Sequence, residues 1–152
     1  ISEQTIGTPA TSITFSSIPG TYKDLWIEIV AKTTGGAEDL LAFELNSDTT
    51  TTYSATRLRG TGSTTSSDRA SNNSLSYTCY ISTALEAAHV YIPRYASANV
   101  YKALIGRSGS TTVVQTAVST WRSTNAISTI KVKTGTNNLA TGSTFRLYGV
   151  TG

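Results

Sequence analysis

The stretch Leu25-Trp26-Ile27-Glu28-Ile29-Val30-Ala31 decides the fold. In an extended chain successive side chains point to opposite faces, so Leu25, Ile27 and Ile29 share one face while Trp26, Glu28 and Val30 share the other. β-Branched and aromatic residues dominate the run, and these suit a pleated, half-buried surface. Comparable runs recur at 40–45, 53–59, 75–81, 89–92, 100–105, 112–121, 127–133 and 145–150, with shorter ones at 4–6 and 12–15 as edge strands. Turn formers punctuate them: Ile18-Pro19-Gly20, Thr34-Gly35-Gly36, Asn46-Ser47-Asp48, Ser108-Gly109 and Gly135-Thr136-Asn137-Asn138. Glycine and asparagine tolerate positive φ, and proline presets its own φ. The one helical turn that the pattern offers is at 82–87, short enough to be a strand connection. The longest break, 60–73, is polar and reads as a loop, and a loop of that length in a compact domain is more often functional or mobile than filler.

Composition agrees. The chain has 152 residues, of which 38% are hydrophobic and 14% charged, against roughly 25% charged in an average soluble domain. Serine and threonine take up the difference, at about a third of all positions. A helical bundle would need more Ala, Leu, Glu and Lys. A disordered chain would lack the recurrent Ile, Val, Leu and Tyr. No apolar run approaches the roughly 18 residues of a membrane helix, so no membrane partner is expected. Many short strands at even spacing predict an all-β domain over 1–152, a two-sheet antiparallel sandwich of jelly-roll-like form. Residues 1–9 are expected as an N-terminal arm or an edge strand.

Chemistry-bearing residues are sparse. Cys79 is the only cysteine and sits in an alternating run, where a buried structural thiol is expected. His89 is the only histidine; with no G-x-S-x-G elbow nearby it reads as an outward-facing strand residue, and neither catalysis nor a metal site is expected. Glu28 and Glu44 fall on candidate adjacent strands, so a facing acid pair of glycosidase type is conceivable. The plainer reading is two solvent-facing strand residues. Asn46-Ser47-Asp48 lacks the ligand count of a calcium site and reads as a turn with side-chain capping. Gly60-Thr61-Gly62-Ser63 lacks the lysine and helix of a phosphate loop, and no cofactor is expected. The +3 net charge is dispersed along the chain, so nucleic acid is not an expected partner. Trp26 and Trp121 are read as core or sheet-edge fillers. Tyr91, Arg94, Tyr95 and Tyr101 form the candidate protein interface, because tyrosine and arginine combine large contact area with a polar end. The alternative is that these rings pack on the sandwich's own flank.

Several stretches, taken together, resemble a recurrent family of small virion proteins of tailed bacteriophages. They are Ser12-Ile13-Thr14-Phe15-Ser16-Ser17-Ile18-Pro19-Gly20-Thr21-Tyr22-Lys23-Asp24-Leu25, Phe43-Glu44-Leu45-Asn46-Ser47-Asp48-Thr49, Tyr53-Ser54-Ala55-Thr56-Arg57-Leu58, Ser67-Asp68-Arg69-Ala70-Ser71-Asn72, Trp121-Arg122-Ser123-Thr124-Asn125-Ala126-Ile127, and above all the ending Ala140-Thr141-Gly142-Ser143-Thr144-Phe145-Arg146-Leu147-Tyr148-Gly149-Val150. The resemblance implies a non-enzymatic structural role in a phage particle and brings no catalytic motif with it. The role expected first is a capsid decoration, or cement, protein on the virion surface that bridges neighbouring major capsid subunits as a homo-oligomer, a trimer. The alternative is a host-recognition domain of a tail or head fibre that binds glycan or a cell-surface protein through the 60–73 loop and the tyrosines. The first residues carry no charged region followed by an apolar stretch, and the cysteine content is that of a reducing compartment, so assembly in the bacterial host cytoplasm is expected.

Overall fold

The computed structural model describes residues 1–36 and 38–152. Among them it contains twelve strands and no helix: β1 (Ser2–Thr5), β2 (Ser12–Phe15), β3 (Asp24–Ala31), β4 (Asp39–Leu45), β5 (Tyr53–Gly60), β6 (Thr65–Asn73), β7 (Ser76–Ile81), β8 (Glu86–Ile92), β9 (Lys102–Gly109), β10 (Val114–Trp121), β11 (Ile130–Thr134) and β12 (Thr144–Val150). They build two antiparallel sheets, one of eight strands in the order β1-β12-β3-β8-β9-β10-β5-β6 and one of four in the order β2-β11-β4-β7.

The connectivity is that of a jelly roll. From β2 to β11 the chain passes between the sheets, and its pairs nest inside one another: β5 with β6, β4 with β7, β3 with β8 and β2 with β11. A three-stranded meander, β8-β9-β10, stands where an eight-strand jelly roll has one strand. Beyond β3, β12 and then β1 extend the larger sheet. The expected N-terminal arm or edge strand is thus the edge strand β1, paired through Ser2↔Leu147 and Glu3↔Arg146.

The core lies between the sheets, as the alternation requires. Leu25, Ile27 and Ile29 of β3, Phe145 and Leu147 of β12, Val90 and Ile92 of β8, and Leu104 of β9 face Ile13, Phe15, Leu41, Phe43, Leu45, Ile130 and Val132 of the smaller sheet. Burying each such side chain contributes about 1.5–3 kcal/mol. Gly106 on β9 marks a close approach of the layers: a Cβ there would lie 2.8 Å from the Thr78 backbone oxygen and Cβ on β7. On β12, Gly149 leaves room for the Tyr22 ring of the β2–β3 connection, which any side chain there would enter.

Two expectations are overturned. Residues 60–73 are not a long loop: Thr65–Asn73 is β6, which pairs with β5 along its length, and only the turn at 61–64 connects them. That turn closes with Thr61 N–H donating to the Thr64 carbonyl at 2.9 Å and with Gly62 at φ 85°. Residues 82–87 make no helical turn. β8 begins at Glu86, whose carboxylate accepts hydrogen bonds from the Ser82 amide and hydroxyl at 2.8 and 2.7 Å. That clasp holds the connection as a bend and leaves the amides without helical partners.

Candidate functional site

The four residues expected to form one interface are dispersed. Asp24, at the head of β3, accepts the Tyr91 hydroxyl and the Arg94 amide, both at 2.7 Å. Burial works to raise the Asp24 pKa, but these donors and the charges of Lys23 and Arg94 outweigh it and hold the carboxyl below its ordinary range. The same bond holds Arg94 at φ 49° in a tight corner, with its side chain exposed. Tyr95 leaves the candidate set: it is 0% exposed in the core, and its hydroxyl donates to the Pro19 carbonyl. Tyr101 is 60% exposed on the approach to β9. Tyr91 alone lies on a sheet face, the outer face of the eight-stranded sheet, half-buried beside Trp26.

The acid pair does not form. Glu28 is on β3 and Glu44 on β4, in different sheets. Glu44 is also not solvent-facing: it is 3% exposed and ion-paired with Lys131 at 2.8 Å and Lys133 at 3.4 Å. Burial there works to raise its pKa and is outweighed by the two lysines, which hold the carboxylate ionised. Cys79 is fully buried, and burial pushes its thiol up to about 12. Lys102 is buried too, and its ammonium donates to three carbonyls, of Ser97 and Val100 at 2.7 Å and Thr124 at 3.0 Å. It pins two loops together. No group of three metal-ligating side chains occurs among the described residues.

What the fold does assemble is the outer face of the eight-stranded sheet. Strand register places one row as Glu3-Arg146-Glu28-His89-Arg107-Thr116-Leu58-Ser67, read from β1 to β6. The next row reads Tyr148-Trp26-Tyr91-Ile105-Val118-Thr56-Arg69. In the first row Arg146 bridges two carboxylates, Glu3 at 2.8 Å and Glu28 at 2.9 Å. Between the rows, Trp26 stacks on His89, with ring centroids 4.6 Å apart and planes 13° from parallel. Partial burial, then the neighbouring charge of Arg107, pushes the His89 pKa below its ordinary value.

This face exposes large apolar side chains to water. Trp26, Leu58, Val114, Val118 and Tyr148 are exposed by 36, 55, 62, 48 and 42% respectively. Val114 stands between two glycines in register, Gly109 on β9 and Gly60 on β5, so it projects from a floor without side chains on either side. The result is a hollow of about 800 Å³ lined by Leu58, Gly60, Thr65, Arg107, Val114 and Thr116. Large exposed apolar patches mark contact sites.

Trp26 fills neither the core nor a sheet edge: it lies on the outer face of β3, an interior strand, and with Tyr148, Leu58, Val114 and Val118 it forms a surface that the inner-face pattern alone does not announce. The signal was there: each of these strands carries apolar residues on both faces, while a sheet face left to water needs none. Compared with known proteins, the chain matches no family model, no curated protein and no solved structure.

Proposed function

We propose that this chain is a non-enzymatic structural protein of a tailed-phage particle, a capsid decoration protein that bridges neighbouring major capsid subunits on the head surface. The observation that carries the reading is the outer face of the eight-stranded sheet, where two adjacent rows combine exposed aromatic and aliphatic side chains with an ion ladder. Cement action needs complementary surface and no chemistry. A contact of this kind adds free energy to the lattice through apolar burial at its centre and polar pairing at its rim. The jelly-roll connectivity, common among capsid domains, supports the same reading.

A second reading is a host-recognition domain on a tail or head fibre, for which the hollow around Leu58, Val114 and Arg107 is the favouring observation. Gold-tagged antibody against the chain on intact particles separates the two. Even labelling of heads is the result expected. Labelling confined to tail tips or sparse fibres would replace decoration by host recognition, and unlabelled particles would remove the virion reading.

A further inference from the structure

The outer face of the eight-stranded sheet changes sign across β8. On one side stand Glu3 and Glu28 with Arg146 between them; on the other stands Arg107, which has no ion-pair partner among the described residues, and beyond it Arg69 on β6. The apolar row Tyr148-Trp26-Tyr91-Ile105-Val118 runs alongside. A surface with an acid on one side of β8, an arginine at the same height on the other, and an apolar row alongside is complementary to itself turned round.

We propose that a second copy of this chain covers this face, packed sheet to sheet about a twofold axis along β8. The inference rests on the reading of the face as a contact surface and gives it one occupant, so that bridging is done by the pair, each copy reaching the shell by a surface other than this one. A twofold along a strand carries each strand onto the one equally far on the other side and keeps height along the strand, as an isologous contact requires. Glu28 on β3 then stands opposite the partner's Arg107 on β9, and by symmetry Arg107 opposite the partner's Glu28. In the next row Trp26 meets the partner's Ile105, Tyr148 meets the partner's Val118, and Tyr91 meets its own copy on the axis.

Other placements match less well. An axis between β8 and β9 sets Glu28 against the partner's Thr116 and His89 against the partner's Arg107. An axis across the strands through the first row lays acid on acid and arginine on arginine, and one midway between the rows sets Glu28 against the partner's Trp26 and Arg107 against the partner's Ile105. Overlap of about seven strands at ~4.8 Å, each giving about five residues at ~3.3 Å, amounts to on the order of 550 Å² of flat sheet per copy. With side-chain relief added, that approaches the ~800 Å² each partner gives to a stable interface. A glycan fits this face less well, because sugars stack on open ring faces and His89 already covers one face of Trp26. This pairing makes two copies where the resemblance implies three, and the mass in solution distinguishes them.

Light scattering on the purified protein should give twice the 16.1 kDa chain mass at micromolar concentration. Val118→Arg, at an exposed position, should give a monomer with an unchanged β-sheet spectrum. Glu28→Arg and Arg107→Glu should each weaken association roughly ten-fold or more. Mixing these two variants should restore it, because both cross-contacts then pair arginine with glutamate. A fold defect would not be rescued by mixing. A wild-type monomer at high micromolar concentration, a dimer indifferent to Val118→Arg, or variants that fail to rescue each other would each overturn the proposal. If the monomer nonetheless binds heads and Val118→Arg abolishes that binding, the docking face stands and only the second copy falls. If the wild type is a monomer and Val118→Arg binds heads as it does, the docking reading falls as well.

Discussion

Asp48 shows how much of the fold one carboxylate can hold. Its Oδ1 accepts the Thr50 amide at 2.9 Å, and its Oδ2 accepts the Thr52 hydroxyl at 2.8 Å and the Trp121 indole N–H at 2.6 Å. The Tyr53 hydroxyl donates to its backbone carbonyl at 3.1 Å and accepts the Leu45 amide at 2.9 Å, while the Tyr53 ring stacks on Trp121. The side chain thus caps the 48–52 turn and ties it to β10, while the Asp48 amide closes the 45–48 turn on the Leu45 carbonyl at 2.9 Å. Burial works to raise its pKa, but the donors from Thr50, Trp121 and Thr52 overcome that and bring it down to about 2. A depressed carboxylate stabilises the fold above its unfolded pKa of about 4 and loses that contribution as pH falls through the folded value. Asp48→Asn is therefore expected to cost on the order of 1–2 kcal/mol at neutral pH, after discounting for solvent screening, and little near pH 2. Denaturant melts of both proteins across pH 2 to 7 check this, and a cost independent of pH would refute the assignment. The local half of this site was legible: Asn46-Ser47-Asp48 reads as a capped turn, and Asn46 and Ser47 do take positive φ. The Trp121 half was not, because that partner lies 73 positions away and no local pattern reports it. For the same reason no local pattern decides between an interface and flank packing for Tyr95, whose hydroxyl donates to the distant Pro19 carbonyl.

Strands differ in how much of themselves they show to a reader of sequence. β3 is legible because its inner face must be apolar, and Leu25, Ile27 and Ile29 fill it. β6 is illegible because it is an edge strand beyond the reach of the smaller sheet: from Thr65 to Asn73 no residue is buried. With both faces wet, a strand needs no apolar alternation, and Ser, Thr, Asp and Asn serve as well as Val. Register with β5, and the Arg57–Asp68 ion pair, hold it instead. Such an edge invites pairing with foreign strands, and a charged side chain at its middle, here Arg69, discourages it. An edge strand donates every second amide to its one neighbour and the others to water. Hydrogen exchange across 65–73 should therefore alternate, with protected amides interleaved with ones that exchange as in a free peptide. Uniformly fast exchange would restore the loop reading of this segment. The outer face of β10 teaches the converse: Val114 and Val118 alternate with buried Gln115 and Ala117, so a pattern read for its inner face alone misses the exposed one.

At the scale of the whole molecule, the nesting of pairs sets the order in which the chain can close. The tightest unit is β5 with β6, joined by a short turn. The widest are β2 with β11, where Ile13 meets Val132, and β1 with β12, where Ser2 meets Leu147. Each outer pair forms only after the chain between has been brought together, and that loop-closure entropy comes before any reward in contacts. With no helix among the described residues and its outermost pairs at the chain ends, this molecule belongs with sandwiches that fold in milliseconds to seconds. The two tryptophans make the point measurable, since Trp121 is buried in the core while Trp26 stands on the outer face. In a Trp26→Phe background, a substitution on an exposed face, the remaining fluorescence reports core formation alone. Refolding by rapid dilution from denaturant should recover the Trp121 signal with a dominant phase slower than a millisecond, in step with the β-sheet circular dichroism. Full recovery within microseconds would mean that local contacts, and not the nested pairs, build the core. A Trp121 phase that ran well ahead of the sheet signal would place the β4–β5–β10 corner, with Asp48 at its centre, as the structure that forms first.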